Sequence, residues 1–205
     1  MKKTILITIA VTAMFFVACN SNSSTKDNNM AMNHDSMPMT MQGDTATDNN
    51  IKMVTTIFTT VDPAVASYIK TLVTDYLAVK NALVNGREEQ AAAASGKMYD
   101  AMKSFDKSLL TADQKKVYDD IEVDLKEHAE HISKSKIDHQ REHFAMMSKD
   151  MYDMAKAFGA GVTLYHDHCP MYKDGSMWLS ESKDIRNPYY GEKMMTCGNI
   201  EEMFK

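Results

Sequence analysis

Four stretches of the chain repeat apolar residues at three- and four-residue intervals, the period that gathers side chains on one face of an α-helix. In the first, Val65, Ile69, Leu72, Val73, Tyr76, Leu77 and Leu83 follow Asp62-Pro63, a capping side chain with proline at the first helical position. Gly86 ends it. A second, alanine-rich helix is predicted from about Glu88 to Lys107, with Met98, Met102 and Phe105 inward. Thr111 and Gln114 have the spacing of a capping box and open a third helix to about Ser135, burying Val117, Ile121, Leu125 and Ile132. The fourth turns Ile137, Phe144, Met147, Met151, Met154 and Phe158 inward and stops at Gly159 and Gly161. Short links between four amphipathic helices predict an all-α fold, a four-helix up-and-down bundle.

The pattern changes on both sides of this block. Lys2 and Lys3 precede an apolar run from Ile5 to Ala18, and Cys19 follows Val17-Ala18. That order reads as a lipoprotein-type signal peptide over residues 1–18, with Cys19 lipidated; an ordinary cleaved signal is the alternative. Either way the mature chain is expected to be exported, and the first reading anchors it by lipid to a membrane facing the periplasm or exterior. Residues 19–54 hold few branched apolar side chains and much Asn, Ser, Thr, Asp and Met, so they are expected to form a disordered tether. Residues 55–205 then make the bundle domain and its tail. In the tail, Val162 to Tyr165 could form a short strand, while Pro170, Gly175, Pro188, Gly191 and Gly198 predict an irregular loop region. Trp178, Tyr189 and Tyr190 are expected to pin it to the bundle.

Charge narrows the partners. The chain has 23 basic and 28 acidic residues; without Lys2 and Lys3 the basic count is 21 and the net charge −7. An acidic surface argues against nucleic acid and is compatible with cations.

The chemistry lies in soft sulfur. Cys169-Pro170-Met171 is mirrored by Met195-Thr196-Cys197. In extended backbone, residues two apart share a face, so each tripeptide can offer a thiolate and a thioether together. Four such sulfurs suit Cu(I), with Met194, His143 or His168 available to complete the shell; two thiolates with a histidine also suit zinc. A Cys169–Cys197 disulfide is the competing reading in an oxidising compartment. Upstream, Met30, Met32, Met37, Met39 and Met41 lie within twelve residues around His34. Thioethers need lose no proton to bind, so this part of the tether is expected to capture Cu(I) or Ag(I).

Two histidine pairs have helical spacing, His128 with His131 and His139 with His143. Lys134, Lys136 and Arg141 nearby place most of them on a solvated face, and His143, directly before Phe144, borders the buried stripe. His139 to His143 also fits H-x-x-E-H with Glu142 as base, a weak match to the inverted zinc-peptidase pattern. No nucleophile with its base and orienting group is evident, and no enzyme is expected.

Several separated motifs resemble, in order, a bacterial exported helical domain of unknown function. They are Tyr76 to Leu83, Arg141-Glu142-His143-Phe144, His168-Cys169-Pro170-Met171, Trp178-Leu179-Ser180, Ile185 to Gly191, and Met194-x-x-Cys197-Gly198. The resemblance covers roughly residues 65 to 202. That domain is shared with periplasmic adaptor subunits of copper and silver efflux pumps, which implies a copper or heavy-metal association. It points to His143, His168, Cys169, Met171, Met194 or Met195, and Cys197. No barrel, lipoyl or long hairpin region of such adaptors is read from this sequence, so it is not expected to bridge a pump to an outer-membrane channel by itself. The expectation is therefore a copper-binding protein that buffers metal or delivers it to an efflux adaptor or cuproenzyme. The alternative is a non-enzymatic docking module whose tail is stapled by a Cys169–Cys197 disulfide and presents Trp178, Tyr189 and Tyr190.

Overall fold

The computed structural model describes residues 51–205. Its elements run β1 (Lys52–Met53), α1 (Pro63–Val84), α2 (Glu88–Ser104), α3 (Ala112–Lys134), α4 (Ile137–Phe158), β2 (Leu164–Cys169), β3 (Ser176–Ser180) and β4 (Asn199–Phe204).

The four helices begin and end for local reasons. The Asp62 side chain accepts from Ala64 N at 2.7 Å, with Pro63 inside the first turn. Thr111 and Gln114 form the reciprocal capping box that opens α3. Helix α4 has no side-chain cap of its own. Glu88 of α2 supplies one, accepting from Ile137 N at 3.0 Å and from Lys136 Nζ at 2.8 Å. At the other end of α4, Ile57 N and Phe58 N donate to the carbonyls of Lys156 and Ala157, two of the groups a helix terminus leaves unpaired. Helix α2 ends at Ser104, short of the predicted Lys107, because Phe105 turns extended and a 3₁₀ turn takes over at Lys107–Leu109.

The predicted inward stripes form the core: Ile69, Leu72 and Tyr76 meet Met98, Leu125, Ile132, Phe144, Met147 and Met151, all fully buried. No helix among the described residues is long and apolar enough to cross a membrane.

The all-α expectation is corrected at the tail. Instead of an irregular loop, the tail contributes three strands to a mixed four-stranded sheet of order β1-β4-β2-β3. Strand β4 pairs antiparallel with β2 and parallel with β1, while β2 also pairs antiparallel with β3. Lys52–Met53, inside the stretch expected to be tether, forms strand β1. The breakers do not abolish strands; they separate them. Gly175 lies in the β2–β3 turn, and Gly198 closes the loop before β4. A bulge between His166 and Asp167 shifts the register of β2 against β4. Trp178 and Leu179 of β3 are fully buried, and Leu179 N donates to Tyr76 Oη at 2.9 Å, tying sheet to bundle.

Candidate metal centre

Cys169 is the last residue of β2 and fully buried; Cys197 is half-buried in the loop before β4. Their Sγ atoms lie 3.0 Å apart, and both are free thiols. A disulfide needs about 2.05 Å. Two ligands of one ion at bonds of about 2.3 Å, in tetrahedral geometry, need roughly 3.8 Å. Either state lies within about 1 Å of sulfur movement. The neighbouring Cys169 thiol, and then burial, push the Cys197 thiol up from its ordinary pKa.

Asn187 builds the loop that carries Cys197. Fully buried, it donates through Nδ2 to the Cys197 carbonyl at 2.8 Å and through its backbone N to the Met195 carbonyl at 2.8 Å. Its Oδ1 accepts from Tyr189 N at 2.8 Å and Tyr190 N at 3.2 Å. Tyr189 also donates to the Met177 carbonyl and is buried like Trp178. Those two aromatics are core residues, as expected of side chains that pin the tail to the bundle, and so are not presented as the docking alternative requires.

The other soft donors are placed unequally. Met194 and Met195 are half-buried beside Cys197 in the chain. Met171 is 61% exposed, because β2 ends at Cys169 and Met171 lies in a turn, where the face-sharing of extended residues no longer holds. Tyr190 Oη holds only its carbonyl, at 2.8 Å. His168 precedes Cys169 within the strand and so faces the opposite side; its Nδ1 is 3.4 Å from Glu201 Oε1. Two thiols, with thioethers two and three residues before Cys197 in the chain, are a soft donor set that fits Cu(I) or Ag(I). The signal and tether residues Cys19, Met30, Met32, His34, Met37, Met39 and Met41 lie outside the described residues.

His143 belongs to a different cluster. Helices α3 and α4 form an antiparallel hairpin turning at residues 135–136, and His128 and His143 are equidistant from that turn. Their Nδ1 atoms meet at 3.1 Å. His131 stacks on His143 with ring centroids 4.2 Å apart, and His139 meets His143 edge-on at 4.5 Å. His131, His139 and His143 are the one group of three or more His, Cys, Asp or Glu among the described residues whose ligand atoms all fall within 4.8 Å of each other. Neither His143 nor His168 joins Cys169 and Cys197 in such a group. Burial, then repulsion from His131, His139 and His128, pushes the His143 pKa down to about 4.

His131 and His139 are exposed, as the solvated face read from the sequence expects, and the two helices bring them, with half-buried His128, against His143 as a facing pair of histidine pairs. The signal was present in the spacing. In an antiparallel hairpin, residues whose numbers share a constant sum stand opposite each other, and 128 with 143 shares the sum set by the turn. For the H-x-x-E-H pattern, the third group beside His139 and His143 is His131 and not a carboxylate, while Glu142 Oε2 lies 3.3 Å from His139 Nδ1.

Residues 72–163 match a family described as Protein of unknown function (DUF3347). The match begins midway along α1, takes in α2, α3, α4 and the four histidines of the cluster, and ends before β2, short of the sulfur pair. No curated protein and no solved structure matches the chain.

Proposed function

We propose that this is an exported, lipid-anchored protein of the cell envelope that binds Cu(I) or Ag(I) and buffers it or delivers it to a partner. The reading rests on one observation: two unbridged thiols, 28 residues apart in sequence, meet at 3.0 Å on a folded support. Copper is the cargo. Cys169 and Cys197 hold it as thiolates, Met195 or Met194 adds a thioether, and exposed Met171 is free to swing in as the entry ligand. The methionine run at residues 30–41 captures the ion and passes it to the pair. The delivery partner is an efflux-pump adaptor or a cuproenzyme, on the strength of the motif resemblance. Zinc is the second metal the thiols would accept.

Titration of the purified protein with Cu(I) against a competing chelator tests this. Cys169→Ser and Cys197→Ser should each abolish tight binding of one equivalent, and Met171→Leu should slow loading more than it lowers affinity. Unchanged affinity and stoichiometry in both cysteine variants would sink the reading.

The same sulfur separation supports one rival, a disulfide-stapled docking module. Burial of Trp178 and Tyr189 removes most of the surface it would present. Intact mass before and after alkylation separates the two: a natively isolated protein that is fully oxidised and metal-free favours the rival.

A further inference from the structure

We propose that His131, His139 and His143 form a second metal site, for a borderline divalent ion of the Zn(II) or Cu(II) kind, with His128 behind them as a positioning residue. It goes beyond the sulfur pair and does not depend on it. The donor set decides the class of ion: three imidazoles without thiolate suit Zn(II), Cu(II) and Ni(II), whereas Ca(II) and Mg(II) demand oxygen. Two helices supply the ligands, His131 from α3 and His139 and His143 from α4, spaced four apart on one face. A zinc ion with bonds near 2.05 Å needs its nitrogens roughly 3.4 Å apart. The atoms now lie within 4.8 Å of one another, and two of the three side chains are exposed and can rotate inward.

The outer groups fit the same role. Metal-bound histidines are oriented by a partner on the second ring nitrogen. His128 Nδ1 occupies Nδ1 of His143 at 3.1 Å, leaving Nε2 of His143 to face an ion. Glu142 lies 3.3 Å from His139 Nδ1, and Glu127 lies 3.9 Å from His131 Nε2. Asp150 lies 3.8 Å from His128 Nε2, extending the chain one step further inward. Each histidine therefore keeps one nitrogen for the ion and has a group near the other. His143 at 9% exposure is the floor of the site, and exposed His131 and His139 form its mouth.

The test uses protein carrying Cys169→Ser and Cys197→Ser, which removes the sulfur pair, titrated with Zn(II) against a chromophoric chelator. One equivalent should bind. His131→Gln with His139→Gln should weaken it by more than the roughly 10–100-fold typical of losing an outer partner. Both positions are exposed, so the metal-free variant should melt with its parent while losing the rise in Tm that Zn(II) gives the parent. Without these histidine changes, bound Cu(II) should show nitrogen hyperfine coupling in its EPR spectrum. Absence of a bound equivalent, equal affinity in the histidine variant, or a Cu(II) spectrum lacking imidazole nitrogen overturns the site. Cu(I) affinity of the native-cysteine protein reads the sulfur pair and should not change on His131→Gln/His139→Gln; a fall would merge the two sites and overturn their separation.

Discussion

The side-chain amide of Asn187 donates to the carbonyl oxygen of Cys197 at 2.8 Å, so a fully buried residue ten positions upstream sets where the second thiol stands. The same amide oxygen receives two backbone N–H groups of the intervening loop.

Asn187→Ala should therefore leave the Tyr189 N–H and the Cys197 carbonyl without partners in a buried place. A loss of about 2–4 kcal/mol is expected from stranding such groups, measured by denaturant unfolding. Alkylation of Cys197 should accelerate as its loop loosens. A rate equal to the parent's would show that Asn187 does not position the thiol.

Gly198 follows Cys197 with φ of +148°, and a Cβ there would lie 2.8 Å from Trp178 Cη2 and 3.0 Å from the His168 carbonyl. Neither neighbour can yield, since one is a buried ring and the other is strand backbone. Gly198→Ala should cost about 2–4 kcal/mol from backbone strain together with overpacking. It should also shift the Sγ–Sγ separation, readable as a changed rate of disulfide formation under mild oxidant.

Tyr76 Oη accepts from Leu179 N at 2.9 Å and lies 2.8 Å from Ser148 Oγ, joining α1, α4 and β3 at one atom. Tyr76→Phe keeps the ring against Phe144, at 5.0 Å between centroids, and removes only the hydroxyl. Stability should fall by about 1–3 kcal/mol for the unsatisfied buried donor. Amide exchange should rise at Leu179 first, because that N–H loses its acceptor.

Glu122 is buried on α3, where its carboxylate takes Lys107 Nζ at 2.9 Å and Lys126 Nζ at 3.1 Å. Burial alone would raise its pKa, but the two lysines outweigh it and hold the carboxyl below its ordinary value of 4.5. A carboxyl with a depressed folded pKa contributes stability above its unfolded pKa and loses it as pH falls through the folded one. Glu122→Gln should cost about 1–2 kcal/mol at pH 7. The gap to the parent should close on acidification below about pH 4.5, followed by urea midpoints across pH. A gap that stays constant from pH 7 to pH 3 would exclude the ionised carboxylate as its cause.

Helix positions and most of the core were legible in the chain because their causes are local. Asp62-Pro63, the Thr111–Gln114 box and Gly159 mark boundaries within a turn of where they act. The three- and four-residue apolar spacing picks out Ile69, Leu72, Met98, Leu125, Phe144 and Met151, all of which are buried. The convergence of Cys169 with Cys197 could also be read, since a mirrored pair of soft tripeptides needs only a loop to meet.

Everything that depended on partners far along the chain was decided by tertiary structure. Strand β1 pairs with a β4 that lies 150 residues away, and no local period in two residues can announce that. Met171 is exposed because a turn begins one residue after Cys169, and strand alternation turns His168 to the face opposite Cys169. The four histidines became one cluster only when α3 and α4 closed as a hairpin: helical spacing gives the two pairs, but the place of the turn at residues 135–136 is what sets His128 opposite His143.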